Sequence, residues 1–218
     1  MDNIISREEI LKRVRNASMI NTENTYTNID LDSAIYPSND EDLEIVFAEE
    51  LNHIGGNFVY CENLKDLENN LLHLAEKQNW ESVFVANPII AGLLDSLQIS
   101  NKSINEDYSN TKVSITSCES LVARLGSIVI SSKQTNGRKL NFIPDVHIVI
   151  AYREQIVANI IDATNLIEEK YGNDWPSMTT VITGPSRTAD IEKTLVMGAH
   201  GPRTLIVFLL EENFLNLD

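Results

Sequence analysis

Two short stretches hold the side chains best suited to chemistry. The first reads Val181-Ile182-Thr183-Gly184-Pro185-Ser186-Arg187-Thr188-Ala189-Asp190-Ile191-Glu192. An apolar run enters Gly-Pro, and small polar residues follow. If a helix begins there, its first N–H groups lack intrahelical partners and carry the positive end of the helix dipole. Gly184 and Pro185 would shape the turn, Ser186 and Thr188 would offer hydroxyls, and Arg187 would offer a fork for carboxylate or phosphate. That is an anion cradle at residues 184–188. In the alternative, Ser186 or Thr188 only caps the helix, and Arg187 pairs with Asp190 or Glu192. The stretch is not a Walker A loop, because no Gly-Lys-Ser/Thr closes it. It is not a nucleophile elbow either, because no second Gly follows Ser186.

The second stretch is Gly198-Ala199-His200-Gly201-Pro202-Arg203. His200 is the histidine best placed for proton transfer or for holding an anion, with Gly198, Gly201 and Arg203 as turn candidates beside it. In the alternative the turn is structural. If the strands before and after are parallel neighbours, a ten-residue helix between them puts the two stretches about 15 Å apart. His147 opens an apolar run and faces either a cleft or the core. Glu119 follows Cys118 ahead of a possible helix, where a thiolate would be stabilised, but a buried, inert thiol is the expectation for Cys118. His53 and His73 read as surface residues. No His or carboxylate pair has metal-ligand spacing, so no metal site is expected.

Elements must position these groups. Residues 7–17 read as a helix with Ser6 as N-cap and Glu9 in capping-box spacing. Residues 18–40 read as a polar arm. Helical spacing returns over 41–54 and stops at Gly55-Gly56. Strand and helix then alternate: a strand at Asn57–Cys61, a helix from Leu64, a strand at 82–86, and a helix opened by Pro88. A strand at 112–116, a short helix at 119–124, and strands at 127–131 and 146–151 follow, the last two joined through Asn136-Gly137. A long helix carries Ile156, Ile160, Ala163, Ile167 and Tyr171 on one face. A strand at 179–183, a helix over 188–197 and a strand at 205–210 complete the pattern. This alternation predicts an α/β fold with a largely parallel, mixed sheet, divided into 1–40 (helix and arm) and 41–218 (the α/β domain). Ligands of such sheets sit beyond the carboxyl ends of the strands.

Composition narrows the function. The 218 residues carry 17 Lys plus Arg against 32 Asp plus Glu, a net charge of −15. That argues against a phosphate-backbone or anionic-lipid partner, while leaving room for a small anion in a local pocket. The two cysteines, Cys61 and Cys118, are too few for an iron–sulfur cluster or a disulfide scaffold. No apolar run reaches the length of a membrane span, and the opening residues lack a signal-peptide pattern. A cytoplasmic, reduced protein is the expectation.

The stretches around Gly184 and His200 together resemble the signature of the LUD-domain family, in its lactate-utilisation-protein-C-like branch. Residues 6–15, the segment from Phe47 to Gly56, and Ile143-Pro144-Asp145-Val146-His147-Ile148-Val149 are similar to further parts of it. The resemblance implies a three-layer α/β fold like that of ribose-phosphate isomerases and CoA transferases. It also implies a part in oxidising L-lactate to pyruvate beside partners that carry the iron–sulfur clusters. This chain would be the cluster-free subunit or accessory protein, holding a small carboxylate or phosphate. The alternatives are a stand-alone isomerase- or transferase-like enzyme on an anionic metabolite, or a non-catalytic interaction module. One departure stands out. The family's Glu-Thr-Gly-Thr-like stretch reads Ala123-Arg124-Leu125-Gly126-Ser127 here, so if a carboxylate serves chemistry in relatives, this protein has lost it or uses Glu119 instead.

Overall fold

The computed structural model describes residues 2–19, 41–103, 112–134, 138–189 and 195–213. Contacts divide the chain into Met1–Asp40 and Glu41–Asp218. In the first unit, helix α1 (Asp2–Ser18) starts before Ser6, so Ser6 lies within the helix and does not cap it. Side chains 6–19 are exposed, including Ile10, Leu11 and Val14. The polar arm lies outside the described residues beyond Met19.

In the second unit, strands β1 (Asn57–Cys61), β2 (Val83–Val85), β3 (Asn101–Lys102), β4 (Val113–Ser117), β7 (Val146–Tyr152) and β12 (Thr204–Leu210) form a six-stranded sheet in the order β1-β12-β7-β4-β2-β3. Every pairing in it is parallel. Strands β5 (Ser120–Val122), β6 (Ser127–Ser131), β8 (Ile156–Val157) and β9 (Thr179–Ile182) form a second sheet, β8-β5-β6-β9, with both antiparallel and parallel pairs. The mixture of directions expected of one sheet is thus divided between two. The Asn136-Gly137 turn lies outside the described residues.

Strand alternation explains the layers. On β7, Val146, Ile148, Ile150 and Tyr152 enter the core under α3 (Leu64–Gln78) and α4 (Pro88–Ser96), while Val149 and Ala151 point to the opposite face. That face packs on Phe47 and Leu51 of α2 (Leu43–His53) and on Leu121, Ile128 and Ile130 of the second sheet. The outer face of the second sheet, through Val122 and Val129, buries Ala163 and Ile167 of α5 (Ile160–Tyr171). Helix starts follow the sequence. Asn63 Oδ1 accepts from Asp66 N at 3.1 Å, and Asn87 Oδ1 accepts from Ile89 N at 2.9 Å with Pro88 next in line. Asp162 accepts from Asn159 N at 2.9 Å.

Three local expectations change. Residues 119–124 form no α-helix: β5 runs into a 3-10 turn at Ala123–Leu125. Ile156 belongs to β8, paired with Leu121, and α5 starts at Ile160. The helix expected over 188–197 is absent at both ends. β10 (Arg187–Ala189) pairs antiparallel with β11 (Leu195–Met197), and residues 190–194 between them lie outside the described residues.

Candidate functional site

With a strand in place of the helix, no helix dipole points at residues 184–188. The Ser186 N–H is also engaged, donating to Pro202 O at 2.8 Å. A cradle of free backbone donors at a helix start is therefore not what the sequence builds. Instead the two singled-out stretches are stitched together, because Gly198 N donates to Ser186 O at 2.9 Å. The separation expected of His200 disappears for the same reason: β9 and β12 belong to different sheets, so the turn after β9 folds back over the turn before β12.

Between the turns lies a pocket of about 160 Å³. Gly184, Pro185 and Ser186 line one side and His200, Gly201 and Pro202 the other. His147 and Leu205, register partners on β7 and β12, contribute from the large sheet. Asn141, Phe142 and Ile182 complete the wall. The loops entering β7 and β12 are held together, since Arg203 N and Thr204 N donate to Asp145 O at 2.8 and 3.1 Å. The pocket thus sits at the amino ends of these parallel strands, opposite to the usual ligand position.

Glycine makes the close approaches possible. Gly184 has φ +77°, and a Cβ there would lie 2.8 Å from Ile54 O. A Cβ on Gly201 would lie 3.1 Å from Ser186 Cβ. Gly198, at φ +73°, leaves room for Arg203, whose Cγ would stand 1.9 Å from a Cβ. Ser127, the hydroxyl that remains in the divergent stretch, shares a 2.9 Å hydrogen bond with Thr183 beside Gly184. Gly126, at φ +56°, brings that stretch against the α2 backbone, 2.4 Å from Leu51 N to its would-be Cβ. Arg124 is directed elsewhere, donating to Asn159 Oδ1 at 2.8 Å.

His147 is fully buried. Its Nε2 shares a 2.8 Å hydrogen bond with Thr116 Oγ1 on β4, and its Nδ1 has no partner among the described residues. Burial pushes its pKa down to about 3, so the imidazole is neutral near pH 7. His200 is exposed at the rim. Arg187 is exposed, with Nη2 beside Gly55 and Gly184, at 3.4 and 3.3 Å from their would-be Cβ positions. Thr188 is half-buried opposite Val196.

Glu119 does not line this pocket. Its carboxylate accepts from Tyr171 OH at 2.8 Å, Lys170 Nζ at 3.3 Å and the Ser131 hydroxyl. It ties α5 to the second sheet. The thiols of Cys61 and Cys118 are buried in cores on opposite faces of the large sheet, and burial raises both pKa values, that of Cys61 to about 11. At the carboxyl ends of β1, β7 and β12, hollows of about 410 and 510 Å³ flank Arg153. There Glu44 and Glu211 both pair with the guanidinium, and Tyr60 OH donates to Glu211. That cation is already neutralised by its neighbours. Sequence reasoning passed over Asn141, Phe142, Ile182, Leu205 and Thr116. A polar residue on the inward side of an apolar strand, as at Thr116, was the available signal.

Fold and pocket together define an α/β protein with a small, partly open pocket between two glycine-rich turns. The chain matches the LUD domain over residues 44–210 and belongs to that family. Among curated relatives, Lactate utilization protein C of Bacillus licheniformis is 33% identical over 102 residues, 46% of this chain and 42% of the relative. The protein of that name from Geobacillus sp. (strain WCH70) is 39% identical over 101 residues, 45% and 42% of the two chains. That from Bacillus subtilis is 38% identical over 92 residues, 41% and 38%. The matched part therefore spans about two-fifths of the length of these relatives, 42% in the first. A crystal structure of a DUF162 family protein from Deinococcus radiodurans superposes with a TM-score of 0.61 at 18% identity, over 80% of this chain and 99% of that one. The two share a fold. No helix among the described residues is long and apolar enough to cross a membrane.

Proposed function

We propose that this protein serves lactate utilisation as a cluster-free subunit or accessory protein, and that its pocket between residues 184–186 and 200–202 holds a small carboxylate. The pocket carries the reading. An apolar cavity of about 150 Å³ accepts a six-heavy-atom ligand such as benzene, and this one, at about 160 Å³, is of that size. Lactate also has six heavy atoms. No acidic side chain lines the pocket, although the chain as a whole carries a charge of −15. Ser186 and His200 offer polar contacts, and Arg187 supplies a nearby positive charge. Phe142, Ile182 and Leu205 suit a methyl group. The relatives' shared name supports lactate as the acid concerned.

The placement of Cys61 and Cys118 in separate cores supports the cluster-free reading. Electron transfer in this reading belongs to iron–sulfur partner proteins. A source strain lacking this protein should lose growth on L-lactate as sole carbon source while growing normally on pyruvate. The wild-type gene should restore it. Unchanged growth on lactate would overturn the proposal.

A further inference from the structure

Strand β1 stands at the margin of the large sheet, and among the described residues it pairs only with β12. Glu211 N donates to Cys61 O at 3.2 Å, so Cys61 turns its backbone groups toward β12. By strand alternation Val59 and Asn57 do the same, and the N–H and C=O of Phe58 and Tyr60 face the open edge. Sheet edges are ordinarily blunted by shortness, charge or proline. The opposite margin follows that rule, since β3 is only Asn101–Lys102 and carries a lysine. β1 does not: Asn57-Phe58-Val59-Tyr60-Cys61 holds five residues, no charge and no proline. The hollow of about 410 Å³ lies beside this strand, walled by Phe58 and Tyr60 and by Ile45, Ala48 and Glu49 of α2. Ile45 and Tyr60 are 55% and 45% exposed, so the surface is accessible. Four carboxylates, of Asp42, Glu44, Glu49 and Glu211, stand there against the single guanidinium of Arg153.

We propose that the β1 edge is a docking site for an extended, cationic segment of a partner protein, which adds to the large sheet as a further strand. The surface is separate from the pocket between the two turns, and the proposal does not depend on the ligand read there. Side chains of an added strand alternate between the two faces. Those on the α2 side enter the hollow, where a lysine or arginine lays its apolar stem on Ile45 and Phe58 and brings its charge to the carboxylates. Those on the other side lie beside Val59 and suit an apolar residue. Charge selects the occupant. A second copy of this chain would bring the same acid-rich hollow and a net charge of −15 to the contact, whereas a basic segment is attracted.

The test is amide hydrogen exchange, read by NMR on the full chain, free and with a peptide of alternating lysine and valine about six residues long, the length of an ordinary strand. In the free protein the amides of Phe58 and Tyr60 should exchange fast and those of Val59 and Cys61 slowly. The peptide should bind saturably and slow the Phe58 and Tyr60 amides roughly tenfold at about 90% saturation, where only the unbound fraction exchanges. A peptide of alternating glutamate and valine should not bind. Asp42→Lys combined with Glu49→Lys, both exposed, should weaken the lysine peptide roughly tenfold and leave the Val59 and Cys61 amides slow. Slow exchange of Phe58 and Tyr60 in the free monomer would mean that the edge is already covered, and overturns the proposal. Slowing that rises with protein concentration, beside a dimer in sedimentation, assigns the edge to a second copy instead. Equal binding of the two peptides, no binding of the lysine peptide, or binding that leaves Phe58 and Tyr60 fast each contradicts strand addition by a cationic segment.

Discussion

Replacing Gly184 by Ala should cost both stability and ligand affinity. Gly184 sits at φ +77°, and the added Cβ would lie 2.8 Å from the Ile54 carbonyl oxygen and 3.3 Å from Arg187 Nη2. An L-residue in the left-handed region costs about 1–2 kcal/mol. Forcing an extra methyl group against backbone adds about 1–3 kcal/mol. The expected loss centres on about 3.5 kcal/mol, which for a chain of this size lowers Tm by roughly 7–14 °C. The turn must also move away from Ile54, and with it the Pro185 and Ser186 wall of the pocket, so lactate affinity should fall as well. The control is Gly92→Ala within α4, where nothing lies within 4 Å of the new Cβ. It should stabilise by about 0.5–1 kcal/mol, because Ala is the better helix former. Denaturant unfolding of both variants and of wild type provides the readout. If Gly184→Ala unfolds at the wild-type midpoint with unchanged lactate binding, the packing argument for this turn is wrong.

Further outcomes follow from the same contacts. Gly126→Ala, with its Cβ 2.4 Å from Leu51 N at φ +56°, should lower the urea midpoint at least as much as Gly184→Ala; a neutral result would contradict the docking of α2. Arg187→Ala should weaken carboxylate binding about ten- to a hundredfold, since charge-assisted hydrogen bonds contribute roughly 1.5–3 kcal/mol, while unfolding shifts by less than about 0.5 kcal/mol, as for most exposed residues. Equal affinity in the two proteins would end the role of that guanidinium. His147 titrates near its ordinary value when unfolded but only at about 3 in the fold, so the unfolded chain takes up the proton first. Its stabilising contribution is complete above about pH 6.5 and falls as pH drops toward 3, by about 1.4 kcal/mol per pH unit within that window. The stability of His147→Gln should therefore depend less steeply on pH than that of wild type between pH 6 and 4, and identical slopes would count against a neutral buried ring. Cys61, held up to about 11, and Cys118, pushed higher still, should alkylate slowly at pH 8 until the chain unfolds; rapid labelling of the native protein would contradict their burial.

What the sequence disclosed was mostly local. Short apolar runs such as Val83–Val85 and Thr204–Leu210 are buried strands. Pro88 opens α4 behind its Asn87 cap. Glycine ends α2, where Gly55 takes φ +86°. The hidden parts depend on distant partners. Residues 187–189 and 195–197 carry spacing compatible with a helix, yet the bonds that close their hairpin run from Ser186 N to Pro202 and from Gly198 N to Ser186. Ile156 fits the stripe of α5 but is captured by Leu121 across the second sheet. That second sheet was itself invisible, since nothing local separates β6 or β9 from the strands of the large sheet. For this reason the sequence put His200 and Ser186 far apart, while the fold sets them around one pocket. His147 was legible as a polar residue in an apolar strand, but the partner that leaves its Nδ1 facing away, Thr116, is reached only through the β4–β7 register.

The most direct measurement is a titration of isotope-labelled full-length protein with L-lactate, followed by NMR. Saturable shifts should concentrate on the amides of residues 184–188 and 198–203 and on the ring of His147. Absence of any saturable shift, or shifts gathered instead around Tyr60, Arg153 and Glu211 at the opposite ends of the strands, would contradict a carboxylate site between the two turns.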